Sequence, residues 1–147
     1  MNEEILLEFE RGGRVAARLL RDDAPNTCEA VLASLPVESK VLHAMWAGEE
    51  VFFDGFPLGG ELEYENATND VKAGDVAVIS TLAYTSSFRK DQTSFCIFYG
   101  KSRPRKSVDQ TVDVNVFAKI EDMDKMVEIG RRVRTSGIER VLIRRRA

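Results

Sequence analysis

His43 and Trp46, the chain's only histidine and only tryptophan, stand three residues apart in His43-Ala44-Met45-Trp46-Ala47-Gly48-Glu49-Glu50. An imidazole titrates near neutrality and can serve as acid, base or ligand. An indole offers an apolar plane for stacking, and a glutamate removed from water gains proton affinity. No other stretch gathers these three chemistries. Tyr99, at the end of an apolar run and before Gly100, adds a hydroxyl that needs a partner once buried. The expected ligand-binding residues are therefore His43, Trp46, Glu49, Glu50 and Tyr99. They would line one barrel-mouth pocket, with Trp46 and Tyr99 as apolar walls and Glu50 as an acceptor. Each also has a plainer role: a hydrogen-bonded core histidine, a packed indole, glutamates in a solvated turn.

Adjacency limits this cluster. Successive side chains of a strand point to opposite faces. Glu50 shares a face with Phe52, and Glu49 shares one with Val51 and Phe53. The same alternation parts His43 from Trp46 unless the strand bulges. The run is thus two faces of a strand pair, of which one can be a site.

Other chemistries find no pattern. Cys28 and Cys96 are far apart, each in an apolar context, and read as small buried hydrophobes. There is no Cys-x-x-Cys or Cys/His spacing for zinc, and His43 with two glutamates lacks a second imidazole, so no metal and no cofactor are expected. Neither a Gly-rich phosphate loop nor a Ser-His-Asp arrangement is visible.

The elements that position these residues follow from periodicity. Residues 4–10 alternate as a half-buried strand, Arg11-Gly12-Gly13-Arg14 supplies a tight turn, and Val15, Ala17 and Leu19 face inward on the return strand. Asp22-Asp23-Ala24-Pro25 reads as a helix start capped by an aspartate, with Cys28, Val31, Leu32 and Leu35 as its buried stripe and Pro36 as its end. Strands are expected over 41–46, 50–54, 76–79, 94–100, 114–120 and 138–144. A second helix begins at Glu121-Asp122, buries Met123, Met126, Val127, Gly130 and Val133, and stops at Ser136-Gly137. Residues 55–74 and the polar stretch 81–93 read as loops flanking the pocket, and 101–112 as a basic loop. About eight strands with two helices, and a strand at each end, fit a mainly β, closed antiparallel barrel with a helix over each mouth. Closure removes the open edges that so many strands would leave.

Composition sets the remaining bounds. A chain of 147 residues with 44% hydrophobic and 31% charged residues suits one domain, 1–147, with its own core. No apolar run reaches membrane-spanning length, and the acidic start is unlike a signal peptide, so the expected location is cytoplasmic, with no membrane partner. The net charge of −3 hides an asymmetry. Residues 1–75 hold 16 acidic and 6 basic side chains, net −10, and residues 76–147 hold 8 and 15, net +7. The halves either pair across neighbouring strands or make a bipolar surface that favours a homo-oligomer. Nucleic acid is not an expected partner, because Arg144-Arg145-Arg146 has no interleaved aromatics.

Three stretches resemble one family. Asp23-Ala24-Pro25-Asn26-Thr27, before a helix ending at Leu35-Pro36, resembles the Ala-Pro-x-Thr helix start of cyclophilins. Val116-Phe117-Ala118-Lys119-Ile120-Glu121-Asp122 resembles their strand-to-helix step, written Phe-Gly-x-Val-x-x-Gly. Trp46-Ala47-Gly48-Glu49-Glu50-Val51-Phe52-Phe53, with Tyr99-Gly100, is similar to a prokaryotic group of cyclophilin-like proteins of unknown function. The resemblance implies a cyclophilin-like barrel. In cyclophilins that isomerise X-Pro bonds, a Phe-His-Arg run supplies an arginine to the prolyl nitrogen; here the matching run is Leu42-His43-Ala44, with no donor side chain. Gly48-Glu49-Glu50 stands where Gln-Gly-Gly-Asp lines the cyclophilin groove. Losing a charge-assisted hydrogen bond removes the main electrostatic contribution to such catalysis. The expectation is a binder of a small molecule or short peptide rather than an enzyme. The alternative is an enzyme, either a weak peptidyl-prolyl isomerase or an acid/base catalyst using Glu50 with His43.

Overall fold

The computed structural model describes residues 3–84, 92–107 and 109–146. Its strands are β1 (Glu4–Phe9), β2 (Arg14–Leu19), β3 (Val37–His43), β4 (Gly48–Pro57), β5 (Ala67–Thr68), β6 (Asp75–Val78), β7 (Gln92–Ser102), β8 (Arg105–Ser107), β9 (Gln110–Thr111), β10 (Val114–Ile120) and β11 (Glu139–Arg145). Its helices are α1 (Pro25–Ser34) and α2 (Met123–Ser136). Eight strands pair in the order β2-β1-β11-β3-β4-β7-β6-β10, and a β2–β10 pairing closes the ring. Every pairing is antiparallel. β5 adds to β10 outside the ring, and β8 with β9 forms a separate hairpin.

Alternation fills the barrel. Ile5, Leu7, Val15, Ala17, Val51, Phe53, Phe95, Ile97, Val141 and Ile143 point inward and are at most 1% exposed. Three of the phenylalanines, Phe53, Phe56 and Phe95, form one tilted and stacked group with centroids 5.3–6.3 Å apart. Met126, Ile129 and Val133 of α2 and Cys28, Val31 and Leu32 of α1 join the same core, so a helix covers each end of the barrel. Ala77, Ile79, Cys96, Phe98, Val114 and Val116 face outward, yet they too are buried, in a second cluster with Val71, Ala83 and Val112 from the loops. The outer wall over β6, β7 and β10 is therefore covered rather than solvated.

Several local expectations are corrected. β3 begins at Val37, directly after Pro36, and ends at His43, before the turn that carries Trp46. β4 runs from Gly48 to Pro57, past the expected end at 54, with bulges that keep Phe56 inside. No aspartate caps α1. Its N-cap is Ala24, and the carboxylate of Glu65 takes the free amides of Asn26 (3.2 Å) and Thr27 (2.7 Å) instead. The middle of the expected 81–93 loop, residues 85–91, lies outside the described residues.

Part of the charge asymmetry is paired across strands. Arg144 bonds Glu8 (2.8 Å), Arg146 bonds Glu4 (3.0 Å), and Arg14 approaches Glu8 (3.9 Å). Two arginines of the basic end thus meet glutamates of the acidic start along the β2-β1-β11 register.

Candidate functional site: two faces of one strand pair

The β3–β4 register sets His43 opposite Val51 and Leu42 opposite Phe52. Val51 belongs to the barrel core and Phe52 packs on the outer cluster, so this pair of positions divides the five expected site residues.

His43, Tyr99 and Glu49 gather at the end covered by α2. His43 Nε2 and the Tyr99 hydroxyl are 2.5 Å apart, with the rings edge to face. Two glycines make room for this group. A Cβ on Gly130 of α2 would lie 2.4 Å from the Tyr99 ring, and one on Gly100 would lie 2.3 Å from Glu49 Oε1. Glu49 Oε1 accepts the Lys101 amide hydrogen at 3.1 Å. Burial lowers the His43 pKa, and the nearby Arg134 charge lowers it further while Glu49 opposes. Burial and the Glu49 charge raise that of Tyr99. His43 Nδ1 is buried without a hydrogen-bond partner among the described residues. Tyr99 is 2% exposed, so this mouth is filled by side chains. The five expected residues do not line one pocket at this mouth: Tyr99 packs under α2, and Trp46 and Glu50 lie elsewhere.

Trp46 and Glu50 lie on the other face. Glu50 sits opposite Phe98 of β7, is 5% exposed, and has the Cys96 thiol beside it. Burial raises its pKa to about 7. No salt bridge reaches it from a described cation. Phe52 is the next outward residue along β4, and the Trp46 ring meets it edge to face with centroids 5.6 Å apart. Trp46 is 49% exposed, and Met45 and Leu42 beside it are also exposed. A half-open apolar rim thus stands next to a buried carboxyl. Asp54, the next outward position beyond Phe52, accepts a hydrogen bond from Ser94 of β7.

Two sequence expectations fail on this geometry. Trp46 and Tyr99 cannot be walls of one pocket, and Glu50 cannot share a proton with His43, because a sheet separates each pair. Phe52 and Cys96, which complete the outer group, were not among the expected site residues. Phe52 was legible as the face-mate of Glu50, whereas Cys96 is brought there by a β4–β7 register that no local pattern encodes. Ala44, at the position of the cyclophilin arginine, is buried and donates its N–H to the Glu50 carbonyl oxygen at 2.9 Å. Both cysteines are free and buried. Among the described residues, no three His, Cys, Asp or Glu side chains group to hold a metal ion, and no helix is long and apolar enough to cross a membrane.

Solved structures share this architecture. A hypothetical protein of Archaeoglobus fulgidus, solved in solution, is 24% identical with a TM-score of 0.64, over 99% of this chain and 95% of that one. McbB, solved in complex with tryptophan, is 20% identical with a TM-score of 0.72; the match covers 97% of this chain but 45% of McbB. The Mimivirus cyclophilin is 15% identical with a TM-score of 0.55, over 97% of this chain and 87% of that one. At these identities the likeness is one of fold, and that fold is the cyclophilin-like barrel. No curated protein matches the chain. The model of a family described as proteins of unknown function, DUF3830, matches residues 7–144, and the chain belongs to that family.

Proposed function

We propose that this protein binds a small molecule or short peptide on the outer wall of its barrel, against Glu50 and the Trp46–Phe52 pair. The observation that carries this reading is a carboxyl that is 5% exposed, with a thiol as its partner, beside an indole that is half exposed. A buried carboxylate is costly unless a donor or cation meets it. A ligand with an amine or amide donor next to an apolar group would supply the donor to Glu50 and cover the exposed rim of Leu42, Met45 and Trp46. Tryptophan, the ligand of McbB, has this pairing of ammonium and aromatic plane, which makes aromatic amines the first class to test.

Trp46 is the chain's only tryptophan, so its fluorescence reports on this wall alone. Titration with phenethylamine, which does not share the indole emission, should give a saturable change in Trp46 emission that Glu50→Gln abolishes. A flat titration into the millimolar range, with tryptophan amide equally silent by calorimetry, would overturn the reading.

A second reading is catalysis by Glu50, favoured by its pKa of about 7, which leaves both protonation states populated at neutral pH. Clear turnover of a proline peptide in a chymotrypsin-coupled assay, lost in Glu50→Gln, would move the conclusion to this reading. Ala44 weighs against prolyl isomerisation, because it brings no donor to a prolyl nitrogen.

A further inference from the structure

A cleft of about 640 Å³ lies beyond the Trp46 turn, between the loop before β6 and the end of β7. Lys72, Lys101 and Arg103 line it, against one carboxylate, Asp70. The chain as a whole carries −3, so a concavity with more cations than anions runs against its average and concentrates positive potential. Gly48 and Gly100 also line it. Gly48 has φ +121°, and a Cβ there would lie 2.5 Å from the Lys101 carbonyl oxygen, so this position admits glycine.

The walls are tied together. The Arg103 N–H and the Ser102 hydroxyl both donate to the Ala47 carbonyl oxygen, at 2.8 and 3.1 Å, and the Gly74 N–H donates to Phe98 O at 2.7 Å. The cations above them are only lightly engaged. Lys72 meets Asp70 at 3.2 Å with both side chains well exposed, and Arg103 takes a neutral partner, Asn69 Oδ1, at 2.8 Å. Lys101 has no salt bridge to a described carboxylate; Glu49 reaches its backbone amide instead. An exposed pair such as Lys72–Asp70 contributes little and yields readily to a stronger anion.

We infer that this cleft binds a compact oxoanion with two or more negative charges, a phosphate ester or a polycarboxylate. Two lysines act as point charges and Arg103 offers a planar fork for paired oxygens. The inference does not depend on the Glu50 wall, since none of the cleft residues belongs to it.

The test is a titration of the full chain with pyrophosphate and with citrate, read by amide NMR shifts, with acetate at matched ionic strength as the control. Saturable shifts at Gly100, Lys101 and Ser102 are expected, with affinity reduced about tenfold by Lys101→Gln and again by Arg103→Gln. These are exposed positions, and unchanged amide shifts outside the cleft verify that each variant folds. Lys72→Gln replaces either variant that does not. Tighter pyrophosphate assigns the site to phosphate esters, and tighter citrate to polycarboxylates. Shifts that acetate reproduces, that fail to saturate, or that survive both substitutions overturn the inference.

Discussion

His43 Nε2 lies 2.5 Å from the Tyr99 hydroxyl, while His43 Nδ1 is buried and has no partner among the described residues. The imidazole is thus held by one bond, and its second nitrogen has nothing to receive or supply a proton. A neutral ring tolerates this better than a cation, which would bury a charged N–H without an acceptor. The lowered pKa has the same sign. Because the folded-state pKa lies below the unfolded value, the unfolded chain takes up the proton first on acidification. Stability is therefore lost as pH falls below about 6.5 and levels off below the folded pKa. Histidine C–H shifts followed by NMR should show His43 more than half neutral at pH 6.5, and His43→Gln should remove this part of the acid sensitivity. A midpoint at or above 6.5 would contradict the account.

Tyr99 sits where it does because residue 130 has no side chain. In an exposed helix, Gly→Ala stabilises by up to about 1 kcal/mol through propensity. At Gly130 the new methyl would meet the Tyr99 ring at 2.4 Å, and ring displacement in a filled core costs about 1–3 kcal/mol. The clash wins. Gly130→Ala should lower stability in urea unfolding, and the same substitution made in a Tyr99→Leu background should cost much less. A stabilised single variant would show that the helix can shift to admit the methyl.

Glu139 is the buried anchor of β11. Its side chain is fully enclosed, paired with Arg132 at 2.8 Å and Arg11 at 3.3 Å, and it also accepts the Arg11 amide hydrogen at 3.1 Å. Burial alone would raise its pKa, but these arginine contacts outweigh it and the net shift is downward. Glu139→Ala leaves two guanidinium groups facing each other and should cost about 3 kcal/mol or more. Glu139→Gln keeps the shape and should cost less. A thermal melt that ranks the two variants in the reverse order would refute the ion-pair argument.

The sequence carried the barrel well and the site only in outline. Alternation in Ile5-Leu6-Leu7 or Val51-Phe52-Phe53 fixes which side chains enter the core, and the placement of Glu50 with Phe52 follows from the same rule. What alternation cannot give is which strands lie side by side. The meeting of Glu50 with Cys96, and of His43 with Tyr99, depends on β4–β7 pairing over dozens of residues. The second helix stripe was legible except for Ile129, and the first helix was legible except for its cap. Asp22 and Asp23 have the capping residue type, but the chain turns so that Ala24 occupies the N-cap and Glu65 arrives from a distant loop.

That distant cap is itself testable. Burial opposes the charge on Glu65, but hydrogen bonds from the Thr27 side chain and backbone and from Asn26 outweigh it and lower its pKa. Glu65→Ala should cost about 1–2 kcal/mol, as for loss of an ordinary N-cap. Amide exchange should quicken at Asn26 and Thr27 before it quickens in β10. Uniform quickening would mean that the loop, rather than the helix start, depends on Glu65.

Glu50 gives the prediction with the opposite sign. Its pKa rises from 4.5 to about 7 through burial, so the folded chain holds a proton that the unfolded chain has lost. The stability this confers relative to the ionised group is complete below about 4.5 and is lost as pH rises through about 7. A shift of this size corresponds to roughly 3 kcal/mol, an upper bound once local relaxation is allowed. Glu50→Gln should therefore leave stability near pH 4.5 almost unchanged and raise it at pH 8. Thermal melts of the two proteins across that range separate this term from His43, whose effect runs the other way. A ligand cation seated on Glu50 would shift the carboxyl back toward ionisation, so an aromatic amine should stabilise the native chain more at pH 8 than at pH 5 and should not stabilise Glu50→Gln at either. Equal stabilisation of both proteins would place the amine elsewhere on the molecule.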